Sequence, residues 1–444
     1  MLKTFPLGGV HPSECKLSRQ SAIRYMPVPE VVTIPLAQHI GAPALPIVKK
    51  GDRVVVGQLI GRSETFVSSL IHSSVSGVVT TVDMFEGPQG RRQMGVTIKV
   101  EGDEWSPEID RSPEVVRECT LSPSEILKKI TEAGIVGMGG ATFPTHVKLS
   151  IPPGKTAEYL IINGVECEPY LTADHRVMLE RGEEVLIGVE LLARCLGVRR
   201  TYIGVENNKP DAIEHLRKLA SKFDNIRVVP LKVQYPQGGE KQLIAAITGR
   251  EVPSGALPVD VGCVVQNVGT ALAVYEAVQK NKPLIDRVVT VTGQGMVSPA
   301  NFMVRIGTSM REVVEFAGGM PADGAKVVCG GPMMGRAVSN LEAPITKGAS
   351  GLLIFDRKDA LRKPEGSCIK CGKCVEVCPM GLEPYLLNVL SRKHRWEECE
   401  AAAAADCIEC GSCSYICPAN IALLDYIRWG KSEVMKAIRA RNKR

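Results

Sequence analysis

The amino-acid sequence predicts a multidomain protein that combines α/β and α+β architecture. Residues 1–100 contain short apolar runs separated by turn signals such as Lys50-Gly51-Asp52, a pattern typical of short β-strands. From residue 120 to 275, apolar runs alternate with helical stretches, and nine of the 15 cysteines lie between Cys368 and Cys417. At roughly 100 to 200 residues per domain, a chain of 444 residues should form about three or four domains. A composition of 44% hydrophobic and 23% charged residues excludes general disorder.

The charge of the chain is unevenly distributed. The formal charge of +6 reflects 54 basic and 48 acidic residues, and residues 428–444 hold seven of the former and one of the latter. The rest is balanced, which gives no sign of a nucleic-acid-binding body. No run resembles a membrane span or a secretory signal, so we expect a cytoplasmic location.

The N-terminal region, residues 1–110, is expected to form an all-β domain. Its segments Val48–Ile60 and Ser74–Val79 resemble the barrel-sandwich hybrid of lipoyl and biotinyl carrier domains. Those carriers have a lysine at a hairpin tip, but the matching segment Glu64–Ser69 has none. The resemblance therefore implies the fold without a swinging arm.

Residues 120–275 are expected to form a parallel α/β domain. Ser122 and Glu125 make a capping box around Pro123, which predicts a helix that continues to Ala133 and ends at Gly134. The elements expected after it are strands at Tyr159–Ile162, Thr201–Val205 and Ile226–Leu231 and helices at Arg176–Leu196 and Asp211–Phe223. Ligands of such a sheet bind beyond the carboxyl ends of its strands.

Two smaller regions complete the predicted architecture. Residues 285–345 should form a small α+β module with strands at Val288–Thr292, Phe302–Arg305 and Lys326–Cys329 and a helix at Met310–Phe316. Farther along, Leu382–Ala405 favours helix and separates two groups of cysteines.

The cysteine groups give the most specific signal. Each follows the pattern Cys-x-x-Cys-x-x-Cys-x-x-x-Cys-Pro, in which three thiolates bind one [4Fe-4S] cluster and the fourth binds the other. We therefore expect a helical, ferredoxin-like segment over residues 360–425 with two crossed clusters. The first cluster would use Cys368, Cys371, Cys374 and Cys417, and the second Cys407, Cys410, Cys413 and Cys378. Structural zinc, the alternative, typically uses two Cys-x-x-Cys pairs. Cys399 has no motif partner and is expected to be a packed thiol.

A glycine-rich loop, Gly137–Thr145, suggests where these one-electron centres meet a two-electron donor. Flavin is the usual converter between the two. The loop has Thr142 where a dinucleotide fingerprint has its third glycine, and a purely structural loop remains an alternative.

Two further segments, Asn163–Tyr170 with Asp174 and Gln266–Thr270, follow apolar runs. With the glycine loop and in this order, they resemble the flavin- and NADH-binding subunit of respiratory complex I. The resemblance implies non-covalent FMN bound by Gly137, Gly139, Gly140, Lys148, Asn163, Glu166, Asp174, Glu240, Asn267 and Thr270. Lys148 would lie near the phosphate. Phe143 and Glu168 would contact the nicotinamide nucleotide as catalytic residues.

Simpler interpretations of single residues stay open. Asn163 could satisfy a turn, Glu166 and Glu168 could be solvated, and Phe143 could belong to the core.

The whole order of modules, opening with Phe5–Pro12, resembles the C subunit of the Rnf-type ion-translocating ferredoxin:NAD oxidoreductases. In that family the 285–345 module is a soluble-ligand-binding β-grasp domain. The resemblance implies a peripheral subunit on the cytoplasmic face of the bacterial inner membrane. It would exchange hydride between NAD(H) and FMN and pass electrons through the clusters to or from membrane and ferredoxin-like subunits. Other subunits would translocate the ions.

Two alternatives are retained. One is a flavin and iron-sulfur corrinoid reductase of the propanediol-utilisation type, although here about 130 residues precede the glycine loop. The other is an electron-wire subunit with a vestigial flavin pocket. For residues 428–444, a basic amphipathic helix that contacts a membrane surface and a solvated tail are both open.

Overall fold

The structure, a computed structural model, describes residues 2–322 and 324–441. Its N-terminal β domain contains two antiparallel sheets. The first contains, in spatial order, Val31–Pro35, Arg92–Val100, Gly77–Glu86 and Arg53–Val54, and the second Leu45–Pro46, Leu59–Arg62 and Ile71–His72. Alternate residues of these strands, among them Val32, Ile34 and Ile98, are buried between the sheets. The predicted all-β fold is confirmed.

The lysine-free segment Glu64–Ser69 packs against the next domain. The Phe66 carbonyl oxygen lies 3.0 Å from Nε2 of His146, and Ser69 Oγ donates to the Gly134 carbonyl at 2.9 Å. This segment therefore supports the region beside the glycine loop.

The central domain has a four-stranded parallel sheet. Its spatial order is Ile226–Leu231, Arg200–Glu206, Tyr159–Asn163 and Cys263–Asn267. Apolar residues cover both faces, as in a doubly wound sheet. The chain first proceeds outward from Tyr159–Asn163 in one direction and later adds Cys263–Asn267 on the other side. The topological switch point therefore lies between these two strands.

Helices surround this sheet: Pro123–Glu132, Thr145–Leu149, Ala173–Glu180, Gly182–Leu196, Pro210–Ala220, Glu240–Thr248, Val268–Lys280 and the 3₁₀ helix Pro258–Val261. The first has the predicted capping box between Ser122 and Glu125. The single helix expected over Arg176–Leu196 is wrong. The structure has two helices here, separated at Arg181. The φ of Arg181, −125°, departs from helical geometry, and its guanidinium pairs with Glu184 at 2.7 Å.

The third region is built on a six-stranded mixed sheet. Its order is Ile23–Tyr25, Ala300–Arg305, Asp286–Thr292, Gly351–Asp356, Gly324–Cys329 and Arg336–Ala337, with helices Met310–Phe316 and Arg357–Ala360. Two of these strands fall outside the expected 285–345 range, and one comes from the segment assigned to the N-terminal domain. A hydrophobic-pattern argument misses Ile23–Tyr25 because the strand has three residues and pairs only with Ala300–Arg305.

The cysteine-rich region is helical, as predicted. It contains Lys373–Glu376, Pro384–Arg392, Trp396–Ala401, Ser412–Ile416, Leu423–Arg441 and the 3₁₀ helix Ala404–Asp406. Cys399 is fully buried in its core, in agreement with the prediction of a packed thiol. Together with the preceding regions this confirms the multidomain α/β and α+β class.

The basic segment forms a helix that begins before residue 428, at Leu423. Its apolar residues Ile427 and Val434 are buried against the cysteine-rich core, so they do not form a free apolar face. Arg428, Lys431 and Arg441 pair with acids of the same region, Glu409 and Glu400. Lys443 and Arg444 lie outside the described residues. Among the described residues, no helix is both long and apolar enough to cross a membrane.

Candidate functional site

The candidate flavin site lies at the switch point of the parallel sheet. Asn163 and Asn267 end the two strands that flank this point and are paired in register. The Asn267 side-chain amide donates to the Asn163 carbonyl at 3.3 Å and to Oδ2 of Asp174 at 2.7 Å, while its Oδ1 accepts from the Gly269 amide at 2.8 Å. Asn267 thus caps the helix Val268–Lys280 and holds three predicted segments together.

The glycine loop is anchored beside Asn267. The Met138 amide donates to the buried Thr270 hydroxyl at 3.0 Å, and the Gly137 amide donates to the Phe143 carbonyl at 2.9 Å. A Cβ at Gly139 would lie 2.6 Å from Nδ2 of Asn267, whereas one at Gly140 would meet no atom within 4 Å. Gly139 is therefore required for close packing, and the backbone of Gly140 is exposed with open space beside it.

Glu166 and Asp174 join this group through the helix Ala173–Glu180. The Glu166 carboxylate accepts from the Asp174 amide at 2.8 Å and the His175 amide at 3.3 Å, so it caps a helix whose own N-cap residue, Thr172, makes no side-chain capping bond. Burial, followed by the charge of Glu166, raises the pKa of Asp174 well above its usual range. The site therefore has two adjacent carboxyl groups, of which Asp174 holds its proton more strongly than an exposed acid.

Lys148 and Glu240 meet at the edge of the same sheet. Lys148 Nζ lies 2.6 Å from the Glu240 carboxylate and donates to the Val265 carbonyl at 3.2 Å. Gly239, the N-cap of the helix Glu240–Thr248, makes no side-chain capping bond. A lysine beside uncapped helix amides is suited to a phosphate group.

The two residues expected to contact the nicotinamide nucleotide are placed differently. Phe143 lies near the end of the glycine loop and is partly buried. Glu168 does not join the Asn163–Asn267 group, because its carboxylate accepts the Met333 and Met334 amides at 3.0 and 2.8 Å. Burial raises its pKa to about 7, although those amide bonds oppose the shift.

The donor set and the backbone at this edge fit FMN. The glycine loop offers open backbone and is anchored by Thr270, Asn267 bonds Asn163 and Asp174 beside it, and Lys148 supplies a cation. An aromatic side chain, Phe143, lies at the end of the loop.

Sequence reasoning missed several residues that hold this site. Lys16 and Lys209 donate to carbonyl groups of the segment Val165–Leu171, and Tyr235 contacts both Glu168 and Cys410. Lys16 and Tyr235 act on residues far away in the chain, so no local pattern indicates their roles. Lys209 follows the carboxyl end of the strand Arg200–Glu206, and this position is the only sequence signal that could have indicated a role for any of the three residues.

Cysteines of the two runs influence one another's ionisation, and the crossed ligation that their spacing predicts stays a prediction. Burial, and then the charges of Cys410 and Cys378, raise the pKa of Cys407 to about 11. Burial, and then Cys410, Cys407 and Cys378, raise that of Cys413. In the other group, Cys417 acts on Cys374 in addition to burial. The charge of the fourth cysteine of each run thus acts on thiols of the other run. Within the described ranges, no three or more His, Cys, Asp or Glu side chains are grouped to hold a single metal ion.

The second cysteine group borders the flavin domain. Tyr235 donates its hydroxyl to the Cys410 carbonyl at 2.8 Å and lies 3.4 Å from the Glu168 carboxylate. Val10, Tyr235 and Cys410 share one hydrophobic cluster, against which Met333 packs. Lys431 donates to the Cys407 carbonyl at 2.6 Å. The flavin domain, the β-grasp module and the C-terminal helix therefore all contact this group.

Comparison with protein families assigns each region. The profile of the RnfC barrel sandwich hybrid domain matches residues 3–103, and that of the Nuo51 FMN-binding domain matches residues 130–276. The SLBB domain matches residues 288–337 and the 4Fe-4S dicluster domain matches residues 367–421. The chain thus carries an FMN-binding domain and a dicluster iron-sulfur domain.

Among solved structures, the NAD⁺-reducing [NiFe]-hydrogenase in its H₂-reduced state covers 71% of this chain and 61% of its own, with 18% identity and a TM-score of 0.49. A likeness of this extent supports no functional inference.

Curated relatives match over almost the full length. The C subunit of the proton-translocating ferredoxin:NAD(+) oxidoreductase complex of Clostridium ljungdahlii is 48% identical over 436 residues, which cover 98% of this chain and 94% of the relative. The C subunit of the Na(+)-translocating complex of Acetobacterium woodii is 46% identical over 437 residues, 98% of each chain. The chain therefore belongs to the family of C subunits of Rnf-type ion-translocating ferredoxin:NAD(+) oxidoreductase complexes.

Proposed function

We propose that this protein is the subunit that connects NAD(H) with the iron-sulfur chain of a membrane-bound, ion-translocating complex. It exchanges hydride between NAD(H) and FMN and moves single electrons through two [4Fe-4S] clusters, to or from ferredoxin-like partner subunits. Family membership and the two cofactor-binding domains support this function over a corrinoid reductase.

One structural observation carries the proposal most directly. The carboxyl edge of the parallel sheet and the second cysteine group meet through Tyr235, which contacts Glu168 on one side and Cys410 on the other. A converter between two-electron and one-electron chemistry requires its flavin and its nearest cluster to be neighbours. FMN supplies that conversion when bound.

The residue roles follow from this arrangement. Gly137, Gly139 and Gly140 present backbone to FMN, while Asn163, Glu166, Asp174, Asn267 and Thr270 fix the loops around it. Lys148, paired with Glu240, holds the phosphate. Phe143 and Glu168 contact the nicotinamide nucleotide. In this arrangement Glu168 must exchange its bonds to the Met333 and Met334 amides for ones to the nucleotide.

The ligand sets and domain limits are part of the same proposal. Cys368, Cys371, Cys374 and Cys417 bind the first cluster, and Cys407, Cys410, Cys413 and Cys378 bind the second. The domains extend over residues 1–110, 120–275, 285–345 and 360–425, with a basic segment at 428–444. The strand Ile23–Tyr25 belongs by sequence to the first of these domains but pairs with a strand of the 285–345 domain.

The protein acts as a peripheral subunit at the cytoplasmic face of the bacterial inner membrane, docked on its partner subunits. Of the basic helix, Lys436 and Arg439 are exposed and available to an anionic surface. Replacing both by glutamine should release the protein from membranes at lower salt, with cluster content unchanged. Truncation after Gly430 is a poorer test, because it also removes the buried Val434 and the Lys431 contact with Cys407. Equal release of variant and wild type across a salt series would assign docking to the folded modules alone.

Anaerobic purification followed by flavin analysis tests the proposal. The protein should bind FMN non-covalently, and NADH should bleach the flavin absorbance. Glu166→Gln should weaken FMN retention about five- to tenfold, because a neutral amide caps the helix amides less well than a carboxylate. Glu168→Gln should mainly affect NADH kinetics. The exposed Glu214 on the helix Pro210–Ala220 offers a matched control, Glu214→Gln.

Two results would contradict this assignment. A folded protein with full cluster content that binds no FMN would favour the electron-wire alternative. Unchanged flavin content and NADH kinetics in both glutamate variants would remove these residues from the site.

A further inference from the structure

Lys16 lies beneath the segment that follows the central strand of the sheet. Its ammonium group donates to three carbonyl oxygens, those of Glu166 at 2.8 Å, Glu168 at 2.9 Å and Leu171 at 2.7 Å. An ammonium has three donors, so this loop uses all of them.

Two more contacts extend this interaction along the chain. The Tyr170 amide donates to the Glu14 carbonyl at 2.9 Å, and the hydroxyls of Ser18 and Thr172 share a hydrogen bond of 2.6 Å. Residues 14–18 therefore make five hydrogen bonds with residues 166–172. By sequence, residues 14–18 are assigned to the barrel-sandwich domain.

A second lysine acts on the start of the same loop. Lys209, 2% exposed, donates to the Val165 carbonyl at 2.7 Å and lies 3.5 Å from the Glu206 carboxylate. The carbonyls of Val165 and Glu166 thus both point to ammonium groups. In a trans peptide the C=O and N–H bonds point in opposite directions, so the amides of Glu166 and Cys167 face away from both lysines.

This backbone arrangement is one that the loop does not adopt without support. Glu166 and Tyr170 have φ of 47° and 70°, in the left-handed region that residues with a side chain disfavour. Three charge-assisted hydrogen bonds from Lys16 offset that cost. The carboxylate of Glu166 is thereby directed to the Asp174 and His175 amides.

We propose that Lys16 is a positioning residue of the flavin site, which holds the loop Val165–Leu171 in the conformation that binds FMN. This inference rests on the proposed function, and it assigns to the N-terminal segment a role in flavin binding. Lys16 does not touch the flavin in this role; it acts through the loop.

Lys16→Met tests the proposal in the full-length protein with its clusters. We expect its Kd for FMN to rise about tenfold or more, because three carbonyls lose their charged donor. Amide hydrogen exchange of residues 165–171 should become faster in the flavin-free protein. Lys16→Arg should recover most of the affinity, and Lys50→Met, at an exposed lysine of the same region, should change neither measurement.

The outcomes separate this inference from the proposed function. If wild type and Lys16→Met bind FMN equally well and show equal amide hydrogen exchange in the loop, the positioning role is overturned and the proposed function is left intact. Wild type that binds no FMN overturns both. Iron content verifies that Lys16→Met is folded. If this variant does not fold, Ser18→Ala provides a second test, because it removes the hydrogen bond between Ser18 and Thr172. Amide exchange in the loop should be faster in Ser18→Ala, and unchanged exchange would contradict the proposal.

Discussion

The two cysteine runs have the same spacing but occupy different surroundings. Cys378 ends the first run, but in the proposed crossed ligation it joins Cys410 and Cys413 of the second run. These three side chains are 8%, 7% and 9% exposed, whereas Cys368 and Cys371 of the other proposed set are exposed. The second group is enclosed by the flavin domain, the Met333–Met334 turn and the C-terminal helix. Cys368 and Cys371 lie in the segment 361–373, all of which is exposed, whereas Cys374 and Cys417 are partly buried.

This difference indicates an order that the motif alone does not contain. If the crossed ligation proposed above holds, the two ligand sets form an inner site and an outer site, because other domains cover mainly one of them. The inner site faces the flavin domain and the outer site faces solvent, where a partner subunit can approach. Solvent exposure and hydrogen bonding also tune cluster potentials, so the two clusters should differ in potential.

Removing the fourth cysteine of a run gives the largest expected effect. Cys378→Ala should lose the inner cluster, so that iron falls from about eight to about four per chain and the outer cluster remains. Cys417→Ala should do the reverse. Iron and sulfide analysis with electron paramagnetic resonance measures both. Loss of the outer cluster in Cys378→Ala would reject crossed ligation and the inner-outer comparison with it.

A smaller effect should distinguish the two sites by pH. The pKa of Glu168 is raised to about 7 by burial, and its carboxyl lies 3.4 Å from the Tyr235 hydroxyl that contacts Cys410. As pH rises through about 7, this group ionises, and its negative charge disfavours reduction of the nearby cluster. The potential of the inner cluster should therefore fall, on the order of tens of millivolts, while the outer one changes less.

Redox titrations at pH 6 and 8, which bracket the Glu168 pKa of about 7, provide the measurement. Glu168→Gln should abolish the additional pH dependence of the inner cluster, so that the potentials of both clusters change equally between these pH values. A pH dependence that persists in this variant would assign it to another group.

Tyr235→Phe should have the smallest effect of the three. It removes the 2.8 Å hydrogen bond to the Cys410 carbonyl and retains the ring packing. The expected cost is about 1 kcal/mol, and a chelator should extract iron from the inner site faster than from wild type. Tyr385→Phe, at an exposed tyrosine beside the outer run, is the matched control. Equal extraction from all three proteins would mean that this bond does not protect the inner site.

Sequence reasoning succeeded where structure is locally encoded. Ser122, Pro123 and Glu125 specify a helix start within four residues, and the cysteine spacing specifies a dicluster iron-sulfur domain. Asn163 and Asn267 could be placed together because strand ends of a parallel sheet meet at one edge.

It failed where contacts join distant segments. Nothing near Lys16 indicates that its ammonium reaches Glu166, and nothing near Glu168 indicates the amides of Met333 and Met334. Such contacts depend on how the domains pack, and packing is not periodic in the sequence. For the same reason, the sequence could not predict that cysteines of equal spacing differ in burial.

The strand Ile23–Tyr25 has a consequence for dissecting this protein. It covers the edge of a sheet whose next strand is Ala300–Arg305, far along the chain. A fragment that begins at residue 120 would lack this cover and would present a row of unpaired backbone groups, the usual template for intermolecular strand addition. Such fragments should aggregate even if every core residue of the sheet is retained. The shortest soluble unit that contains the β-grasp module should therefore need the N-terminal segment, supplied in the same chain or as a peptide.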